Sequence, residues 1–427
     1  MKNNCLSARI LRICHNLLHS KPYLLRSKIN PNDFTRNRKL GFVDFVLFLL
    51  SGMKDSLQAE LFQYLDMSKQ SEKTYSKQAF SKGRLRIRPE AFKELSDTVV
   101  KNVYPLAQTR TWNGYHLLAI DGSFLNLPFH PETVKEFGAH NTSGAPQPQA
   151  LCSCLYDILN GLIVDAKIGP RTTSERAHAE ELIRGLDTNL INNPLYLMDR
   201  GYPSSDMLAL MEELGQKYLM RCEKSFLCAV EREGNDVVVT HKFKNAKEPI
   251  KFRVITVKLE GGEGKPDQEE YLITNLFDER FGEKDFAELY HLRWGIETKY
   301  DDLKNKLRIE NFTGNTPIAI RQDFFATLYL ANLAGVFALD YRDEIEAAHN
   351  TPENKHTYKM NVNLTIAALK QDVISLLLYD SPTKRVRLLS KIERRLQNAV
   401  VPIRPDRSPP REKRHRSSKF PSNKKLP

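Results

Sequence analysis

Tyr290, Arg293, Glu297 and Lys304 stand in the stretch YHLRWGIETKYDDLK at offsets of 0, +3, +7 and +14. An α-helix turns by roughly 100° per residue, so the four fall within about 60° of one another. A phenol, two cations and one carboxylate would share a narrow stripe. A core stripe would be apolar, and a solvated face needs no such periodicity. One acid flanked by phosphate-seeking cations has the composition of a metal-binding carboxylate set beside a nucleic-acid backbone. Two more acids end apolar runs, Asp121 after YHLLAI and Asp199 after PLYLM. Taken singly, an Asp after a strand is more often a turn or helix cap. With Glu297 they make an all-carboxylate set, suited to Mg²⁺ or Mn²⁺ rather than zinc. Two such ions about 3.5–4 Å apart serve in-line displacement at a phosphodiester.

The elements that must position these acids follow from pattern. Tyr115–Ile120 reads as a strand, with Gln149–Leu159 and Gly161–Ile168 joined at Asn160-Gly161, a strong hairpin signal. A helix over Ser174–Leu186 opens with Ser174 and Glu175, types suited to a helix start. Then come a strand over Pro194–Met198, a helix over Ser204–Leu214 and a strand over Tyr218–Arg221. The order β-β-β-α-β-α-β is that of a mixed α/β sheet. Asp121 and Asp199 are expected at C-terminal strand edges, where open α/β sheets place their sites.

Residues 224–280 break this alternation with three β-like runs, Val237–Thr240, Ile250–Lys258 and Tyr271–Leu276, and read as a β-rich insertion. One helix is expected from about Lys284 to Leu307, carrying the stripe. Long apolar helices over Ala319–Tyr341 and Leu364–Leu378 are expected to cover the sheet. Toward the N-terminus, residues 35–50, Leu57–Met67 and Glu72–Leu85 read as helices with core positions Leu61, Phe62, Leu65, Phe80 and Leu85. The last of these bears Lys73, Lys77, Lys82, Arg84 and Arg86, so it resembles the groove-entering helix of a helix-turn-helix, a reading slightly ahead of a plain bundle with a basic face. No internal repeat, P-loop or dinucleotide fingerprint is present.

The net charge of +12 is unevenly placed. Residues 1–40 carry nine Lys/Arg against Asp33, and residues 404–427 nine against Asp406 and Glu412, which leaves the body at −3. Two basic ends on a mildly acidic body suit a polyphosphate partner, or solubility alone. Cys5, Cys14, Cys152, Cys154, Cys222 and Cys228 show no paired zinc spacing. Cys152 and Cys154, two apart in an apolar run, read as small core residues. Cysteine usage fits a reducing cytoplasm. Arg9, Arg12 and His15 interrupt the only early apolar stretch, and Phe42–Leu50 is short for a membrane span and contains Asp44. A cytoplasmic protein without a membrane partner is expected.

Asp121 in AIDGSFLNLP, Asp199 in YLMDRGY and the Y-x2-R-x3-E-x6-K pattern on Tyr290, Arg293, Glu297 and Lys304 resemble the DDE transposases of the insertion sequence 4 family. The likeness runs from TRNRKL near residue 35 to the basic tail. It implies an RNase H-like mixed sheet with helices, interrupted by a β-rich insertion, between helical N-terminal and C-terminal regions. In segments, that is a helical DNA-binding region over 1–110 and the first part of the catalytic core over 111–223. The insertion follows over 224–280, then the rest of the core over 281–345. A C-terminal helical region occupies 346–403 and a basic disordered tail 404–427. Asp121, Asp199 and Glu297 would hold two Mg²⁺ ions, for which Mn²⁺ substitutes. Tyr290, Arg293 and Lys304 would hold the transposon end, and Arg200 either joins them or pairs with a neighbouring acid.

The activity implied is cut-and-paste transposition, with cleavage at terminal inverted repeats followed by strand transfer of the 3′-OH into target DNA. Double-stranded DNA, a homodimer in the synaptic complex and a place at the bacterial nucleoid come with it. Two other readings use the same residues: an RNase H-like nuclease without strand transfer, and an inactive DNA-binding derivative. Relatives stack an aromatic of the β insertion on a flipped base. Residues 224–280 have no Trp, Trp294 points to the edge of the stripe, and Phe226, Phe243, Phe252 and Tyr271 read as core, so no flipping residue is assigned.

Overall fold

A computed structural model describes residues 5–403 except 37, 52–55, 141–145, 228–233, 244–247, 260–267, 352–353, 355 and 380. The expected basic tail over 404–427 and Cys228 lie outside these residues. Six helices lead the chain: α1 (Leu6–Leu18), α2 (Lys21–Ser27), α3 (Phe42–Leu50), α4 (Leu57–Met67), α5 (Lys77–Arg84) and α6 (Glu90–Leu106). Then come β1 (His116–Asn126), α7 (Pro131–Phe137), β2 (Ala139–His140), β3 (Gln147–Asp157) and β4 (Leu162–Pro170). Next are α8 (Glu175–Arg184), β5 (Pro194–Met198), α9 (Ser205–Glu213) and β6 (Lys217–Cys222). The insertion supplies β7 (Asp236–His241), β8 (Ile250–Leu259) and β9 (Gln268–Thr274). Helices α10 (Glu283–His291), α11 (Trp294–Asp301), α12 (Pro317–His349), α13 (Val362–Leu378) and α14 (Pro382–Gln397) complete the set, with β10 (Tyr358–Met360) before α13 and β11 (Val400–Pro402) at the end.

The chain divides into two compact units, one of residues 109–124 and 151–301, the other of 1–108, 125–150 and 302–427. The first holds the sheet. Its strands run in the order β3-β1-β5-β6-β9-β8-β7, with β4 paired to β3. The strands β1, β5 and β6 are parallel, and β9, β8 and β7 continue from β6 as an antiparallel extension. This is a mixed α/β sheet of RNase H-like order with a β insertion added at one edge. Gly161 adopts φ 73° in the turn between β3 and β4, a backbone state that glycine reaches without a Cβ penalty. Cys152 and Cys154 are buried in β3, as their spacing predicts.

The second unit is helical. The 33-residue α12 starts with Thr316 accepting from the Ala319 N–H and with Pro317 in its first turn. Its length and apolarity would suffice to cross a membrane, yet most of that stretch is buried as the central helix of its own unit. It packs against α1, α3, α6 and α13. Buried polar bonds tie it down: Asn332 donates to the Ser96 hydroxyl of α6 at 3.0 Å, and Gln322 donates to the carbonyls of Arg84 and Ile87.

Here the expectation for the basic helix is corrected. It spans only Lys77–Arg84, and Arg84 points inward, 2% exposed, bonded to Gln322, Thr313, the Ala319 carbonyl and Asp323. Lys77 and Lys82 remain exposed. Leu61, Leu65 and Phe80 are core, whereas Phe62 and Leu85 face solvent.

Candidate active site

Strands β1 and β5 pair in parallel register from His116↔Pro194 to Ala119↔Leu197. Two residues further on in each chain stand Asp121 and Asp199. Asp121 therefore lies on β1 and Asp199 just past the end of its parallel neighbour β5, the two strand backbones being about 4.8 Å apart where they pair. Asp121 is not at a strand end, because β1 runs on to Asn126 after its partner β5 stops at Met198. Asp199 follows β5 directly. It is held in a turn, its Oδ1 accepting from the Gly201 N–H at 2.7 Å and its carbonyl from the Tyr202 N–H at 3.2 Å.

Asp121 accepts from the Gly122 N–H at 3.0 Å. Its carboxyl is pushed up to about 7 by burial, opposed by the Arg293 guanidinium and reinforced by Asp199 and Glu175. The fully buried Tyr300 of α11 lies with its hydroxyl 2.8 Å from the Asp121 carbonyl and 3.2 Å from that of Cys152. It therefore ties the helix of Glu297 to β1 and β3. Gly295 permits the close approach, since a Cβ there would stand 2.9 Å from Ile158 Cγ2.

The helix expected over 284–307 is not continuous. Between α10 and α11 the N–H groups of Arg293, Gly295 and Ile296 bond to carbonyls three residues back, a tight 3₁₀-type turn. In such a turn residues three apart eclipse, and the Arg293 guanidinium lies 5.7 Å from the Tyr290 ring centre. From Arg293 the α-helical spacing of four then brings its Nη2 to 2.9 Å from Glu297 Oε1. Tyr290, Arg293 and Glu297 thus do touch in sequence. Lys304 falls on a π-helical turn, Asp302–Lys306, in the other unit, so a count of 100° per residue does not set its bearing.

Arg293 is 7% exposed and Tyr290 4%. Their Arg293 Nε and Tyr290 hydroxyl are buried without a partner. Arg200, in contrast, is open to solvent, 3.9 Å from the exposed Glu223. It borders a groove of about 680 Å³ on the insertion side, lined by the cations Arg221, Lys224 and Lys258 and by the acids Glu223, Glu269 and Glu270. Trp294 is exposed, while Phe252 and Tyr271 are buried and Phe243 stacks between Phe226 and Phe252.

The sequence reading missed two residues here. Glu175, at the start of α8, lies against Gly122 and acts on Asp121. Tyr202 is fully buried with an unpartnered hydroxyl that senses Asp121, Glu175, Asp199 and Arg293. The sequence carries no signal for Glu175 beyond its place at a helix start. Tyr202 had one, its position three residues after Asp199.

Among the described residues no three His, Cys, Asp or Glu side chains converge closely enough to hold one ion. Glu297 is turned to Arg293 instead. The three acids nevertheless suit hard divalent cations in type, being all carboxylates, with the Arg293 guanidinium acting on Asp121 and paired with Glu297.

Asp121 on β1 and Asp199 just after β5 thus stand at one edge of a mixed sheet, with the helix that carries Glu297 fastened to β1 by Tyr300. Residues 112–333 match the family described as "Transposase DDE domain", and the chain belongs to that family, whose members cleave DNA and transfer its strands with a divalent metal. Among curated proteins it is similar to transposase InsG of insertion sequence element IS4 from Escherichia coli (strain K12). They are 24% identical over 328 residues, covering 73% of this chain and 70% of that one. A cryo-EM structure of the piggyBac transposase synaptic complex with hairpin DNA aligns over 94% of this chain and 88% of that one. The identity is 11% and the TM-score 0.48, a likeness that carries no argument.

Proposed function

We propose that this transposase moves its insertion sequence by cut-and-paste, with Asp121, Asp199 and Glu297 as the catalytic acids holding two Mg²⁺ ions, for which Mn²⁺ substitutes. The observation that supports this is that Asp121 lies on β1 and Asp199 directly follows its parallel neighbour β5, with the helix of Glu297 fastened to β1 by Tyr300. When bound, the ions would supply charge neutralisation at the attacked phosphate and activation of the attacking oxygen. Hydrolysis at each transposon end breaks a P–O3′ bond and leaves a 3′-OH on the element. That hydroxyl then attacks phosphorus in target DNA, forms the new phosphodiester and breaks the target P–O3′ bond, its own proton being lost as the displaced target oxygen gains one and leaves as a 3′-OH.

The basic residues have distinct parts. Arg200, exposed beside Glu223 on the insertion side, would exchange that acid for a backbone phosphate. Arg293 is spent on Glu297 in the DNA-free protein. Phosphate oxygens would compete for its guanidinium, release Glu297 toward Asp121 and Asp199, and so complete the acid set only when DNA is present. Tyr290 supports the guanidinium, and Lys304 adds a further phosphate contact. Double-stranded DNA ends and target are the partners. A homodimer in the synaptic complex, acting at the nucleoid in a bacterial cytoplasm, completes the reading.

Asp121→Asn, Asp199→Asn and Glu297→Gln are each expected to abolish cleavage and joining of a labelled transposon end in Mg²⁺ while sparing end binding. The products are separated on a denaturing gel and binding is followed by mobility shift. A variant that still cuts and joins removes its residue from the catalytic set.

A further inference from the structure

We propose that a small aromatic cavity between α3 and α5 takes one unstacked nucleotide of bound DNA, its base against Phe34 and Tyr75 and its phosphates on Arg36, Arg38 and Lys82. This rests on the reading of DNA as the partner.

Shape comes first. The cavity, of about 250 Å³, lies wholly within the helical unit and is walled by Phe34, Phe45 and Tyr75. Its volume falls below the range usual for drug-sized ligands and suits a single base. The floor is rigid. Phe45 is 2% exposed, stacks on Phe80 with ring centres 5.0 Å apart, and meets Phe34 and Tyr75 edge-on at 5.8 and 6.2 Å. Gly83 of α5 permits this, since a Cβ there would collide with the Phe45 ring. Phe34 and Tyr75 keep part of their rings open to solvent. Phe34 also holds φ 56°, a backbone state that a bulky residue keeps only where its surroundings impose it. Three rings packed as ordinary core would close over such a space, because interiors are close-packed.

Charge comes second. No acid lines the cavity, and four cations do, Arg36, Arg38, Lys82 and Arg86. Among the described residues the side chains of Arg36, Arg38 and Lys82 form no ion pair or hydrogen bond, and Arg86 alone of the four faces an acid, Asp33 at 3.7 Å. Two of these cations reach the Tyr75 phenol: burial pushes its pKa up, and the Arg38 and Arg86 guanidiniums pull it back.

The conjunction selects the ligand. A track for duplex phosphates needs cations but no aromatic cavity, and a core cluster needs rings but no unpaired cations at its mouth. Rings that stack a base inside a rim of cations that hold its phosphates are what unpaired nucleic acid requires. Arg beside an aromatic ring adds to such stacking.

The test uses full-length protein and two short labelled duplexes of one sequence, one fully paired and one with a single extra unpaired adenine, compared by fluorescence anisotropy at low salt. The unaltered protein is expected to bind the bulged duplex about tenfold more tightly, the scale of one base–aromatic stack. Ala79→Leu fills the cavity from α5, and Tyr75→Ala removes one wall. Both should abolish the preference and leave affinity for the paired duplex as it was. Should Ala79→Leu fail to fold, Tyr75→Ala decides alone. Equal affinity of the unaltered protein for the two duplexes, or a preference that survives in the variants, overturns the proposal while DNA stays the partner. Failure to bind either duplex brings down the underlying reading as well. A ribo-oligonucleotide that outcompetes its deoxy counterpart, and does so only while the cavity is open, assigns the cavity to RNA and overturns the proposal too.

Discussion

Arg293 decides the electrostatics of the site in the DNA-free protein. Its guanidinium lowers the proton affinity of Asp121, which burial would otherwise raise further, and holds Glu297 at 2.9 Å. Asp121, Asp199 and Glu297 stand out in the sequence because each sits in a local pattern with its own meaning, an apolar run or a helical spacing. Glu175, which lies against Gly122, does not stand out, because a helix start explains a glutamate fully at short range. Its approach to Gly122 depends on how the first helix after the β3–β4 hairpin lies against β1. A buried residue of α8 gives a pH signature. His178 is 5% exposed with Nδ1 3.0 Å from the Ser153 hydroxyl, and burial lowers its pKa from the ordinary 6.5, an effect that Lys167 reinforces and Glu181 opposes. Below about 6.5 the unfolded chain therefore binds the proton that the folded one refuses. The contribution of neutral His178 is whole above that pH and is lost as pH falls through it, by up to about 1.4 kcal/mol per unit. His178→Gln should shrink the drop in unfolding temperature between about pH 7.5 and about pH 5.5, a window set by that linkage. An equal drop in both proteins would assign the loss to other groups.

At the scale of elements, periodicity identified strands and helices better than it identified their continuity. The sheet of the catalytic unit and the β insertion appear where the spacing puts them, with ends shifted by a few residues. The signature helix does not run through. The turn at Leu292–Arg293 and the π-helical segment Asp302–Lys306 arise from backbone bonds to carbonyls three and five residues back, which side-chain spacing does not encode. Helix α5 shows the converse problem, since a row of cations looks alike whether it faces DNA or the interior. Arg84 faces inward, and its partners Thr313, Ala319, Gln322 and Asp323 are more than 200 residues away in the chain. Removing one member of a buried ion pair leaves the other unpaired, so Arg84→Ala is expected to cost about 3–5 kcal/mol of stability. Chemical denaturation measures this. A variant of unaltered stability with weaker DNA binding would restore the groove-facing role.

The whole molecule folds into units that do not follow the chain. Residues 1–108 gather with 125–150 and 302–427, and the unit that holds the sheet is made of two pieces, 109–124 and 151–301. Sequential segments cannot reveal that, because the pairing of α6 with α12 joins stretches more than 200 residues apart through apolar faces with no pairwise code. Charge distribution, by contrast, is read directly from the sequence and makes its own prediction. The body between residues 41 and 403 is acidic by three charges, whereas the last 24 residues carry a net +7. A protein that grips DNA with that end releases counterions in proportion to the phosphates it neutralises. Deleting residues 404–427 should then reduce the slope of log affinity against log salt by up to about six, at roughly 0.9 per phosphate. Affinity at low salt should fall, while the metal dependence of cleavage on saturating DNA should not move, because Asp121, Asp199 and Glu297 are untouched. Titrations of a labelled duplex at several salt concentrations give the slope for both proteins. A slope unaltered by the deletion would confine the tail to solubility and leave DNA binding to the folded units.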